Sequence, residues 1–505
     1  MSRLSLYLMT LGAIALAPSC SSAFHSRACS TDSDCGGNLV CVAQTGDAVC
    51  TTPQNAPLRI GMSGPLSGPN QDLGTEMKKG LALAFDAQNA AGGVRGRPIA
   101  LDFLDDEYQP DSAEADARQL LEVVPSTDAA RCPTTTVPVV ATNPPVANSA
   151  LLRGPSAVLG LVGNVGTPTM VLTAPIAVET GSLFFGAFTG ASLMLRDGLA
   201  GPCSKYIFNV RASYAQEAMA TVEYFFTLNV PDARHIISFD QNDSYGDAGY
   251  NGLLAAYTTL KGPVPTPFAA NAPIARFRYT RGDDASVPAQ VTAATQYLAQ
   301  ILADPGPHAV GIFMTDTYGP AAEFVTGVRN WQYANDAQQT AIQKASRLSL
   351  YFSNVSFSGA NSLSTRLVTA GTFATPQGPM PYTTDVFVSQ VVPNYMSDES
   401  DAVAAYTKAL NAASLNPSFT SLEGYLTARV FIAGLLAHDG PFTPEALIPT
   451  FENLPPQNLA LGATAGFTAD NHNYSKSVFG TGINADGTFT NEYFWTDGSP
   501  IQLFQ

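Results

Sequence analysis

The residues of this chain that could carry chemistry are few, and they are scattered. The loop GPLSGPNQDLGTEMKKG at 64–80 follows the apolar run LRIGMSG and leads into an amphipathic stretch, where a phosphate cradle or a catalytic turn could sit. A dinucleotide cradle needs GxGxxG, and a nucleotide loop needs GxxxxGK followed by Ser or Thr, so that main-chain N–H groups surround phosphate oxygens. This loop supplies neither. The nucleophile elbow GxSxG and the zinc motif HExxH do not occur, and five His are spread along the chain without metal-ligand spacing. Asp105, Asp106 and Glu107 are adjacent carboxylates at a strand end, a pattern of solvated or helix-capping acids. The tripeptide Arg281-Gly282-Asp283 could mediate adhesion but reads as a charged turn. No enzymatic carrier, no cofactor and no metal site is predicted.

The bulk properties point to ligand binding by a folded, exported body. At 505 residues the chain exceeds what one hydrophobic core serves, so two lobes are expected. Hydrophobic residues make up 45% and charged residues 13%, which places it among globular chains. A net charge of −16 repels phosphate backbones, which excludes nucleic acid as a partner.

The N-terminus MSRLSLYLMTLGAIALAPSC has an apolar run from Leu4 to Ala17, too short for a comfortable membrane span, and reads as an export signal. It ends at Ala17-Pro18-Ser19-Cys20, which resembles a bacterial lipoprotein cleavage box with Cys20 as the lipidated residue; cleavage after Ala23 is the alternative. Lipidating Cys20 leaves an even number of the seven Cys, suited to an oxidising compartment. Cys29, Cys35, Cys41 and Cys50 lie in a segment rich in Asp, Gly and Ser that cannot bury a core, so disulfides are expected there rather than zinc. Their pairing is left open by spacing. Cys132 and Cys203 are expected to pair with each other.

From residue 57 strands and helices alternate. LRIGMSG, TEMKKGLALAFDAQNA and PIALDFLDD form a strand–helix–strand unit, and strands recur at AVLGLVGN, SLFFGAF, HIISFDQ, HAVGIFMTD, LSLYFSNVSF and DVFVSQVV. This order predicts an α/β fold with mostly parallel sheets, with ligands at the carboxyl ends of the strands. CPTTTVPVVATNPPVANS reads as a surface insertion, because its prolines cannot donate to a ladder.

The run IGMSGPLSGPNQDLGTEMKKGLALAFDAQNAAGGVRGRPIALDFLDDEYQP is similar to the opening of the branched-chain amino-acid (Leu/Ile/Val) binding proteins of ABC importers. GNVGTPT, FFGAFTGASL, KYIFNVRAS, FDQNDSYGDAG, DVFVSQVVP and SLEGYLTARVF follow in that family's order, over about residues 57–490. The resemblance implies a type I periplasmic binding fold: two Rossmann-like lobes joined by three crossovers, closing over a small-molecule ligand. The domains expected are 1–20 signal peptide, 21–56 Cys-rich segment and linker, 57–209 with 392–470 as lobe 1, and 210–391 with 471–505 as lobe 2. The crossovers are expected at KYIFNVRAS, at DVFVSQVVP and near FTADNHNYSK.

The same resemblance carries over a ligand site residue by residue. On lobe 1, Leu73, Gly166, Thr167, Ala187 and Thr189 would meet the ligand, the threonines and backbone donors suiting an anionic end, with N-capping as their structural alternative. On lobe 2, Tyr245, Tyr318 and Phe357 would close over it, with ordinary packing as the alternative for the tyrosines. Where amino-acid binders place a Glu for the ammonium, SNVSFSG has Phe357 and no acid from Asn354 to Asn361. Unless another acid substitutes, the ligand is expected to lack an amine, because an unpaired buried ammonium costs several kcal/mol. The function implied is a periplasmic, lipid-anchored carrier presenting an amino acid, amide or organic acid to an ABC permease. The alternative is a sensing or envelope-scaffold lipoprotein of the same fold.

Overall fold

The computed structural model describes residues 27–30, 32–43, 48–129, 132, 149–192, 203–264, 272–335, 339–462 and 465–504. The export signal and Cys20 lie outside them, as does the 132–149 insertion apart from Cys132 and Ser149. No helix among the described residues is long and apolar enough to cross a membrane. The chain divides into two compact units, 1–56 and 57–505.

In the first unit, strands Val40–Ala43 and Ala48–Thr51 pair antiparallel. Disulfides Cys29–Cys41 and Cys35–Cys50 staple them, which supplies the connectivity that spacing leaves open. The sulfurs of Cys29, Cys35 and Cys50 lie within 4.8 Å of one another, a metal-like grouping, but each is committed to a disulfide. Among its described hydrophobic residues, Cys35, Cys50 and Ala56 are buried, so cross-links stand in for a core.

The second unit is built on two sheets. The first runs Ile99–Asp105, Leu58–Gly64, Gly160–Val162, Leu183–Phe185, Ile207–Phe208, all parallel. Leu58–Gly64 is buried at every position but Arg59, as a parallel strand covered on both faces must be. The second sheet runs Ala275–Tyr279, Ile236–Gln241, His308–Thr315, Leu348–Asn354, Val386–Gln390 in parallel. It then continues antiparallel through Ser477–Ile483, Phe489–Thr496 and Gln502–Leu503. This antiparallel flank is made by the end of the chain and has no counterpart among the strands read from sequence.

The chain passes between the sheets where residues 209–210 run beside 472–475: the Asn209 N–H donates to His472 O (2.8 Å) and the Tyr474 N–H to Asn209 O (2.8 Å). Between these passages it leaves the second sheet after Gln390 and forms helices Asp401–Ala413 and Phe419–Ala437, which pack on helix Gln71–Ala90 of the first. Cys132 and Cys203 are joined, as expected.

Helix Gln71–Ala90 buries Leu73, Met77, Leu81, Ala84 and Phe85 along one stripe. Its neighbour Phe419–Ala437 is buried nearly all round and starts at a Ser418/Ser421 capping box. The two helices touch backbone to backbone: a Cβ on Gly80 would stand 2.0 Å from Ser421 O, and one on Gly424 2.4 Å from Met77 O. No side chain there can yield. Gly80→Ala is therefore expected to destabilise the protein by about 1–3 kcal/mol, read as a lower denaturant midpoint at unchanged m value.

Candidate ligand cleft

The carboxyl ends of the parallel strands carry the residues singled out by sequence, and the two lobes meet there. After Leu58–Gly64 the Gly/Pro loop is held by a neighbouring strand end: Asp105 Oδ1 accepts from the Leu66 N–H (2.8 Å) and the Ser67 N–H (3.3 Å). The loop presses on its own helix, since a Cβ on Gly74 would lie 2.0 Å from Pro65 O. Leu73 is buried at the foot of the loop, and its Cδ2 is 2.9 Å from where a Cβ on Gly359 of the other lobe would stand. From that lobe the Tyr318 hydroxyl donates to Pro69 O (2.5 Å) and Ser362 Oγ to Asp72 Oδ2 (2.7 Å).

Next to this loop, Gly163 and Gly166 take positive φ and turn the chain into helix Thr167–Glu179. A Cβ on Gly166 would lie 2.3 Å from the Tyr108 ring, so only glycine fits. The capping alternative does not hold for Thr167. Thr167 is the first helical residue after a Gly166 cap without a side-chain bond, and its hydroxyl pairs with that of Thr189 at 2.6 Å. Thr189 also lies 3.4 Å from the Tyr214 hydroxyl and accepts from the Ala191 N–H (3.2 Å). Ala187 is buried beside them, its carbonyl taking the Thr189 N–H.

On the second lobe Tyr245 follows the Asp243 cap, and its hydroxyl donates to Asp316 O (2.9 Å). Both tyrosine hydroxyls are thus satisfied, Tyr245 within its lobe and Tyr318 across to the other. Phe357 is fully buried, with ring centroids 4.9 Å from Phe188, 4.9 Å from Tyr245 and 6.1 Å from Tyr108. The eight residues carried over, Leu73, Gly166, Thr167, Ala187, Thr189, Tyr245, Tyr318 and Phe357, converge on this one interface.

Several residues of the interface were not placed in a site from sequence. Tyr108 is buried, and it follows Glu107 in the left-handed region, held there by Asp105 Oδ1 and Asp106 Oδ1, which accept from the Glu107 and Tyr108 N–H groups (3.1 and 2.8 Å). Arg281 reaches across to donate to Tyr108 O (2.7 Å) and pairs with Asp243 (3.1 Å), so the Arg of the Arg-Gly-Asp turn is a clasp between the lobes. Arg211, in the first crossover, is buried with Glu217 of the second lobe (2.8 Å) and Glu423 of the first (3.4 Å). Burial opposes its charge, but Glu423 and Glu217 outweigh it and hold the guanidinium above its ordinary pKa. An Arg inside the apolar KYIFNVRAS, with a Glu shortly after it, was the available signal.

The acids DDE at 105–107 are not simply solvated. Asp106 is fully buried, and Ser63 Oγ stands 2.9 Å from both Asp106 Oδ2 and Asp116 Oδ2. One hydroxyl hydrogen serves one of the two carboxyls, and a proton on Asp106 serves the contact that remains. Burial pushes the Asp106 carboxyl up to about 7 from 3.8, against the bonds from Tyr108 N and Ser63. Between these values the folded protein binds the proton that the unfolded chain has lost, so this group's stabilisation falls as pH rises from about 4 to about 7. Asp106→Asn is expected to flatten that decline, which urea midpoints measured over this range check.

Three comparisons with known proteins bear on the chain. A family model described as "Periplasmic binding protein" matches residues 57–129. The "Leu/Ile/Val-binding protein homolog 3" of Brucella melitensis is 36% identical over 66 residues, 13% of this chain and 18% of the relative, so the match spans under a fifth of that relative's length. Among solved structures, a possible leucine/isoleucine/valine-binding protein from Rhodopirellula baltica is 26% identical with a TM-score of 0.65, over 87% of this chain and 97% of that one. A fatty acid ABC transporter substrate-binding protein from Thermomonospora curvata has a TM-score of 0.61 at 14% identity, over 89% and 93% of the two chains.

Proposed function

We propose, from the premise that this chain is a type I periplasmic binding protein of the branched-chain amino-acid family, that it closes its two lobes over a small organic solute and presents it to an ABC importer. Fold and family are those of non-enzymatic substrate carriers in the periplasm. The observation that carries the reading is the facing of two unlike surfaces at one interface. Thr167 and Thr189 put a hydroxyl pair on the first lobe, beside the helix N-terminus at Gly166. Tyr245 and Phe357 put an aromatic face on the second. Hydroxyls at a helix N-terminus suit an anionic or carbonyl end, and the aromatic face suits an apolar body. An amino acid, an amide or an organic acid meets both demands.

The binding sites named by the resemblance are taken as the contacts: Leu73, Gly166, Thr167, Ala187 and Thr189 from one lobe, Tyr245, Tyr318 and Phe357 from the other. A ligand touching both lobes favours the closed state by its differential affinity. Lipidation at Cys20 would hold the carrier at a membrane. The disulfide-stapled unit at 1–56 adds weight to a second reading, a sensing or scaffold lipoprotein without a dedicated transporter.

Thermal-shift screening of the exported chain against amino acids, amides and organic acids is expected to find a stabilising solute, because binding to the native state raises stability by mass action. That solute should also compact the protein in small-angle scattering, and an unchanged scattering profile at saturation would count against closure. Thr189→Val removes the shared hydroxyl while keeping its shape. It is expected to weaken binding by about 10-fold, the worth of one hydrogen bond, and to lower the melting temperature as well, because the Thr167 hydroxyl and the Ala191 N–H lose a buried partner.

A further inference from the structure

Asp316 directly follows strand His308–Thr315 and lies at the carboxyl edge of the second sheet. It is fully buried and sits between the two segments that carry the aromatic face: its carbonyl accepts from the Tyr245 hydroxyl (2.9 Å), and its Oδ1 accepts from Ser358 Oγ (2.8 Å), next to Phe357. Its Oδ2 has no hydrogen-bond partner among the described residues. Leaving such an atom buried costs about 1–3 kcal/mol.

A second buried acid of the same sheet shows what a structural carboxylate looks like here. Asp240 is equally buried, and Arg276 and Arg278 both bond it, at 2.8 and 3.0 Å. No arginine, lysine or histidine forms an ion pair with Asp316 among the described residues. The segment 354–361 has no acid of its own, so the carboxyl bonded to its Ser358 comes from the adjacent strand end.

We infer that Asp316 is a ligand-contacting, specificity-determining residue, whose carboxyl takes a protonated amine on the solute while the Thr167–Thr189 pair takes the opposite end. The inference rests on the reading of this interface as the solute site. Asp316 is then the substituting acid under which the expectation of an amine-free ligand lapses. A charged hydrogen bond of this kind is worth about 1.5–3 kcal/mol, so an amine should be preferred over its hydrogen-substituted analogue by about 10- to 100-fold.

The test is calorimetric titration of the full exported chain with matched pairs: leucine against 4-methylpentanoate, and phenylalanine against 3-phenylpropanoate. Wild type is expected to prefer the amine-bearing member of at least one pair. Asp316→Asn, which keeps shape and both existing bonds, is expected to lose that preference while binding of the des-amino member changes less than about 3-fold, roughly 0.6 kcal/mol. Preference of the wild type for the des-amino member, or an amine preference that survives Asp316→Asn, overturns the inference and leaves the carrier reading standing. Binding of neither member of any pair, with no other solute found, removes the carrier reading and this inference together. Should Asp316→Asn fail to fold, the wild-type preference within the pairs decides alone.

Discussion

A buried guanidinium has to be neutralised where it stands, and in this protein it stands between the lobes. Arg211 lies in the first crossover with Glu217 from the second lobe and Glu423 from the first, so one charge cluster ties both lobes to the connection between them. Taking such ions out of water costs several kcal/mol each, which is recovered only if the remaining oxygens are also bonded. Glu217 meets this demand by accepting from the Ser356 N–H and from Ser389 Oγ, each at 2.7 Å. Those bonds fix the turn at 356–358. Phe357 is thereby set against Phe188 and Tyr108, and Ser358 against Asp316. The interface is positioned from behind by the requirement that Arg211 be paired.

From the front, the same interface is shaped by backbone that few residues can adopt. Glu107 and Tyr108 are consecutive non-glycine residues at positive φ, each held by the carboxyl two residues before it, and Gly166 leaves room for the Tyr108 ring. Asp105 serves the opening loop and this turn at once, through the Leu66, Ser67 and Glu107 N–H groups. The acidic run and the Gly/Pro loop, which look like separate features in one dimension, are one piece of structure. Its chemistry is positional: carboxylates organise N–H groups so that a rigid first lobe can present Thr167 and Thr189.

Most of the architecture was legible because it rests on local pattern. Buried parallel strands read as continuous apolar runs, and helix Gln71–Ala90 shows its stripe at helical spacing. The pairing of Cys132 with Cys203 followed from counting. The antiparallel flank at 477–503 was not read; its first strand, Ser477–Ile483, pairs with Val386–Gln390 from far along the chain, and the other two strands follow from it in turn. At the interface between the lobes, residues of recognisable type lie in recognisable turns, whereas the roles of Arg211, Tyr108, Arg281 and Asp316 were not legible. Each of these four owes its role to neighbours from distant segments, which no spacing rule reports.

The sequence by itself therefore determined the classes of element, their order, the likeness to a family of carriers and the residue types lining the strand ends, because hydrophobic period, turn residues and cysteine number act over a few residues. Only the tertiary structure decided which charges are paired and which are not. Asp240 and Asp316 both sit at the end of a buried strand, yet one receives two arginines from Ala275–Tyr279 and the other keeps an oxygen without a donor. That difference is set by which strands lie next to each other in the sheet. Burial makes it matter, since in a medium of low dielectric an unmet hydrogen bond is not made good by water.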